Sequence, residues 1–207
     1  MIMAIKRVLF LMLASTFALQ SSAATIVIQV NDGPGEGFND PNPPRNANQK
    51  GSNPGTSLGE MRLELFKEAA KVWGDIVNST ETITIGAEFN DLDCFGNSAL
   101  LGQAGPTSPK ENFGSGDANI AYAVALAESL SSSNQNGASV EINAEFNSKV
   151  DSDITCLGGG GFYYGLDGNV PDGTTALFST VLHDCLLYTS PSPRDQSLYL
   201  VCRLLLE

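Results

Sequence analysis

The chain has 207 residues, 11 of them basic and 23 acidic, for a net charge of −12. Such an acidic chain has nothing with which to neutralise phosphates, which argues against nucleic acid and anionic membrane as partners and suits a soluble extracellular protein.

Near the N-terminus, Lys6 and Arg7 precede an apolar run from Val8 to Leu19, and the small residues Ser21, Ser22, Ala23 and Ala24 follow. That order describes a secretory leader cleaved near Ala23 or Ala24. The apolar run is shorter than the roughly 20 residues with which a helix spans about 30 Å of hydrocarbon, so an anchor is not expected. The expected location is outside the cell or in the periplasm, with no membrane contact once the leader, residues 1–24, is gone.

Thr25–Val30 is β-rich and predicts the first strand. Asn31–Thr56 is a long loop of Gly, Pro, Asn and Asp, read as unable to build a core. Its carboxylates Asp32, Glu36 and Asp40 are candidate calcium ligands, but their spacing fits no EF-hand, and a solvated loop is the simpler reading. Ser57-Leu58-Gly59-Glu60 is a capping box. Behind it Leu58, Met61, Leu65, Ala69, Val72, Trp73 and Ile76 recur at helical spacing, with Glu64, Lys67, Glu68 and Lys71 on the opposite face. The helix should end near Asn78, with Trp73 as a core anchor. Asn78-Ser79-Thr80 is a glycosylation sequon, meaningful only in a host that glycosylates.

Thr82–Phe89 and Val140–Phe146 alternate as half-buried strands, and Ile120–Leu130 between them reads as a helix. Both strands close on Ala-Glu-Phe-Asn, at 87–90 and 144–147, which we take as similar strand chemistry. Leu157–Gly161 lacks the Lys-Ser/Thr of a phosphate loop and predicts a turn into another strand. Thr174–His183, with Asp172 or Thr174 as cap, is apolar on nearly every side and predicts a helix in the middle of a core.

After Asp184 the character of the chain changes. Cys185–Asp195 and Tyr199–Glu207 resemble, in order, the two ends of a translated sequencing adapter, with a barcode over Gln196–Leu198. Residues 185–207 are therefore kept out of the fold reading. On this reading the last base of codon 184 belongs to the adapter, and the natural residue there is Asp or Glu. Setting aside Lys6, Arg7, Arg194, Arg203, Asp195 and Glu207 leaves seven basic and 21 acidic residues, a charge of −14. About 160 residues remain, enough for one domain with a real core. Of the four cysteines only Cys94 and Cys156 remain, and in an exported chain two cysteines most simply form a disulfide.

His183 is the only histidine. It ends a buried apolar helical segment and precedes an acidic residue, which is how a His-Glu-x-x-His zinc helix begins. Two imidazoles four residues apart share a helix face, and the Glu between them acts on the metal-bound water. Position 187, where the second His would stand, is Leu187.

Over residues 25–183 the chain resembles secreted bacterial zinc metallopeptidases of the zincin type. The matching stretches are Thr25–Val30, Asp32–Asp40, Asn53–Gly59 with Arg62, Ala69-Ala70, Trp73-Gly74, Ile142–Ala144, Phe146–Ser148, Tyr163–Asp167 and Thr180–His183. The resemblance implies an α+β fold, the N-terminal half of a zincin, in which a mixed sheet is backed by the Ser57 helix with the zinc helix beneath. It also implies His183 as first zinc ligand, position 184 as the catalytic carboxylate, and a protein or peptide substrate. The chain departs from the family at Asp184 and beyond, so a fragment spanning 25–184 should be inactive: one His and one carboxylate are too few for a catalytic zinc, which takes three protein ligands. The competing reading is a secreted, calcium-binding adhesion module without catalysis. A hydrolase built on Asp91 and Asp93 ranks last.

Overall fold

The computed structural model describes residues 23–187. Residues 1–22, which hold most of the segment expected to be a leader, and residues 188–207 lie outside the described residues. The fold is α+β, with a four-stranded mixed sheet as its centre. Strands β1 (Ile26–Val30), β2 (Ile83–Asn90), β3 (Gly102–Pro106) and β4 (Ile142–Asn147) stand in the order β1-β2-β4-β3. The first three in that order run parallel, and β3 closes the edge antiparallel to β4.

Helix α1 (Leu58–Ile76) makes the crossover from β1 to β2, as a parallel pair requires. Its capping box forms as expected: the Ser57 hydroxyl accepts the Glu60 N–H, and the Glu60 carboxylate accepts the Ser57 N–H. Met61, Leu65, Phe66 and Ala69 are buried against the sheet, and Trp73 packs with Val77 and Ile83. The helix stops two residues short of the expected Asn78, because Val77 turns extended. Val77 then fills the apolar position that the spacing assigns to Ile76, which is 50% exposed.

The repeated Ala-Glu-Phe-Asn has a spatial meaning. Ala87, Glu88, Phe89 and Asn90 pair in register with Ala144, Glu145, Phe146 and Asn147. Like residues thus lie side by side on adjacent strands, and the two phenylalanines point into one aromatic cluster. Phe66 meets Phe38 at 4.8 Å and Phe146 at 4.9 Å, both edge to face. The opposite sheet face is polar and partly open, with Gln103 donating to Glu145 at 2.9 Å.

Three expectations change. The loop 31–56 does contribute to the core: Phe38 joins the main cluster, and Gln49 and Asn53 are almost completely buried. Side chains make this affordable by meeting the loop's backbone needs. Asp32 accepts the N–H groups of Phe38 and Phe89, and Asn53 donates to the carbonyls of Met61 and Tyr164. The second helix, α2 (Val124–Ser131), starts four residues later than its apolar spacing suggests. Tyr122 and Ala123 instead pair with Pro109 and Lys110. Strand β3 was not expected at all.

Beyond β4, the short helix α3 (Lys149–Ser152) leads to a Gly-rich turn and then to Phe162-Tyr163, which pairs with Thr175-Ala176. Helix α4 (Leu177–Leu187) begins after that pairing, three residues later than Thr174. It lies on the same side of the sheet as α1, with Leu177 and Val181 in the core cluster. Cys94 and Cys156 form the expected disulfide, with Cα atoms 5.6 Å apart, tying the segment after β2 to the turn after α3. Among the described residues no helix is long and apolar enough to cross a membrane.

Candidate functional site

Helix α4 carries both residues singled out by the sequence, and it places them differently. The His183 side chain is 65% exposed, whereas that of Asp184 is 9% exposed. Successive residues on a helix point about 100° apart, so one faces solvent and the next faces β3. Their side chains still meet, with Nδ1 of His183 3.4 Å from Oδ1 of Asp184, a long contact. Asp184 Oδ2 has no hydrogen-bond partner among the described residues. It lies against Gly102, where a Cβ would come within 2.6 Å of it. Burial pushes the Asp184 carboxyl above its ordinary range, and His183 pulls it partly back.

Asp184 also lines an apolar cavity of about 100 Å³ between α1 and the sheet, together with Trp73, Ile83, Ile142 and Val181. Trp73 Nε1, like Asp184 Oδ2, is buried with no hydrogen-bond partner among the described residues.

Zinc needs converging donors. Among the described residues no group of three or more His, Cys, Asp and Glu side chains is arranged to hold a metal ion. His183 offers one imidazole, and Asp184 turns one oxygen into the protein. A catalytic zinc takes three protein ligands, and the described donors supply fewer. What the backbone does provide is spacing: α4 remains helical through position 187, one turn beyond His183.

The candidate calcium carboxylates do not converge either. Asp32 is committed to two backbone N–H groups, Glu36 accepts the Gly33 N–H at 2.9 Å, and Asp40 accepts the Asn42 N–H at 2.9 Å. Asp91 accepts the Ser148 hydroxyl at 2.6 Å, and both Asp91 and Asp93 are exposed.

One polar constellation was missed. Arg62, on the buried face of α1, donates to Asp151 at 3.0 Å and to the Gly37 carbonyl at 2.8 Å. Its guanidinium stacks 4.2 Å from the Phe89 ring centroid. Asp151 also accepts from the Tyr164 hydroxyl, the Gln49 amide and the Phe162 N–H. Burial raises the Tyr164 hydroxyl well above its usual value, so it stays a donor. This network joins the early loop, α1, α3 and the Phe162 strand; it is architectural. The available signal was Arg62 itself, a charge on the apolar face one position from Met61.

Comparisons with protein-family models, curated proteins and solved structures return no match.

Proposed function

We propose that residues 25–184 are the N-terminal part of a secreted zinc-dependent endopeptidase of the zincin type, inactive as it stands. One observation carries the reading. Helix α4 buries Leu177 and Val181 in the core while presenting His183 outward, and it continues through position 187. A second imidazole at 187 would fall on the face of His183, as a two-histidine zinc helix requires. The carboxylate at 184 faces the antiparallel edge strand, where it lies against Gly102. In the parent protein zinc would supply a water activated for attack on a peptide carbonyl. In this chain His183 offers a single ligand, and position 184 sets a carboxylate beside it.

Sequencing the source locus past codon 183 tests the proposal. The expected continuation is Glu-x-x-His. The product of the intact gene should bind one zinc per chain and cleave an unstructured protein substrate, and 1,10-phenanthroline should abolish that cleavage. A continuation without His at 187 would leave only an exported acidic domain, and a calcium titration of that product would then address the binding-module alternative.

A further inference from the structure

We infer that the chain is cut between Ala23 and Ala24, and that the α-ammonium group created there docks on the C-terminal end of α1. The inference rests on the export reading and is independent of the peptidase assignment. The small residues 21–24 allow cleavage after Ala23, with Ser21 and Ala23 at the two small positions, or after Ala24, with Ser22 and Ala24.

The geometry separates the two. Ala24 is 7% exposed, while Ala23 and Thr25 on either side are exposed. The Ala24 nitrogen lies 3.0 Å from the Gly74 carbonyl oxygen and 3.0 Å from that of Val77. A single amide hydrogen must be shared between these acceptors, whereas an ammonium group has three hydrogens and can serve both. Both carbonyls belong to the end of α1, where oxygens lack helical partners and the helix dipole is negative. Nothing in the helix itself offsets that end: its last turn has no basic residue, and it contains Asp75. A positive charge at Ala24 supplies the missing counterpart.

The close approach is specific to this position. A Cβ on Gly74 would stand 2.6 Å from the Ala24 carbonyl oxygen, so only glycine lets the segment lie so near the helix. Cleavage one bond later would remove Ala24 with its buried methyl group and both hydrogen bonds. Ala23 makes only an isolated bridge to Asn78 and leaves its side chain in solvent. In the reaction, catalysed by a leader peptidase of the exporting membrane, water adds to the Ala23 carbonyl carbon and the carbon–nitrogen bond to Ala24 breaks. Ala23 leaves as a carboxylate, and the Ala24 nitrogen gains two protons to become –NH₃⁺.

The test is expression of the whole chain in an export-competent bacterial host, followed by N-terminal sequencing and intact mass of the exported product. The expected sequence starts Ala-Thr-Ile-Val-Ile. A start at Thr25, or at any other residue, overturns the inference while leaving export intact; a product that retains Met1 overturns both. As a second readout, the α-amine is acylated with a succinimidyl ester at neutral pH and the N-terminal peptide is quantified. Charge-assisted hydrogen bonds of ordinary strength should slow labelling about tenfold in buffer relative to urea. Equal labelling in the two would overturn the docking.

Discussion

Asp184 and Gly102 share so little space that a Cβ on Gly102 would stand 2.6 Å from Asp184 Oδ2 and as close to the ring of Phe146. Helix α4 and the edge strand β3 are therefore locked at this point, and the direction of the carboxylate at 184 is set by the absence of a side chain at 102. Gly102→Ala forces the carboxylate or Phe146 to move. Overpacking of this kind typically costs about 1–3 kcal/mol. A urea unfolding midpoint lowered accordingly, with an unchanged slope, is the expected result, and an unchanged midpoint would show that α4 yields freely.

The Arg62–Asp151 pair makes a sharper demand. Both side chains are almost fully excluded from water, and Asp151 also anchors Tyr164, Gln49 and the Phe162 N–H. Asp151→Ala leaves the buried guanidinium with only the partly exposed Asp40, 4.0 Å away, as its ion-pair partner, a loss of about 3 kcal/mol, the lower end of what breaking a buried pair costs. Tyr164→Phe removes one hydroxyl and should cost about 1 kcal/mol. Chemical denaturation of both variants checks the ranking; equal losses would mean that the charge is not what the network protects.

The Cys94–Cys156 bridge closes a loop with a sequence separation of 62 residues. Chain entropy alone assigns such a bridge about 4 kcal/mol, and measured values are commonly about 2–4 kcal/mol. The double variant Cys94→Ala/Cys156→Ala should unfold at correspondingly lower urea. A loss well under 1 kcal/mol would indicate that the unfolded chain is already compact there.

These relationships differ in how visible they are from sequence. Helix α1 is legible because its cap and its apolar face agree, and β2 and β4 are legible because their side chains alternate. Strand β3 is not, since Gly-Gln-Ala-Gly-Pro contains no strong strand former; it is held by pairing with β4, a partner some 40 residues away. The same cause hides the site. His183 stands out as the only histidine, but the inward turn of Asp184 depends on β3 and so on a strand that local propensity does not announce. Ile120–Ala123 keeps helical spacing yet stays outside the helix, with Tyr122 and Ala123 in a strand pair and Tyr122 packed edge to face with Phe113 at 5.2 Å. In each case a tertiary contact overrides the local preference.

Glu128 provides the pH dependence. It is buried near the end of α2, where its carboxylate accepts the Gln135 N–H at 2.7 Å. Glu141 is buried nearby and accepts from the Thr84 N–H and the Asn136 amide. Burial, the largest effect, holds the Glu128 carboxyl above its ordinary range; the charges of Glu141 and Glu81 add to it, and the N–H groups of Gln135 and Asn136 oppose it. A carboxyl raised on folding favours the native state while protonated. Its contribution is complete below the unfolded value, about 4.3, and is lost as pH rises through the folded value. Asp32 is shifted upward by burial as well, so wild-type stability alone would mix the two. The comparison with Glu128→Gln isolates one group, because the amide resembles the protonated acid at every pH. Relative to wild type, the variant should gain stability as pH rises from about 4 through the folded value, and the difference should then level off. A difference that stays flat from pH 4 to neutrality would mean that Glu128 titrates alike in the folded and unfolded chain.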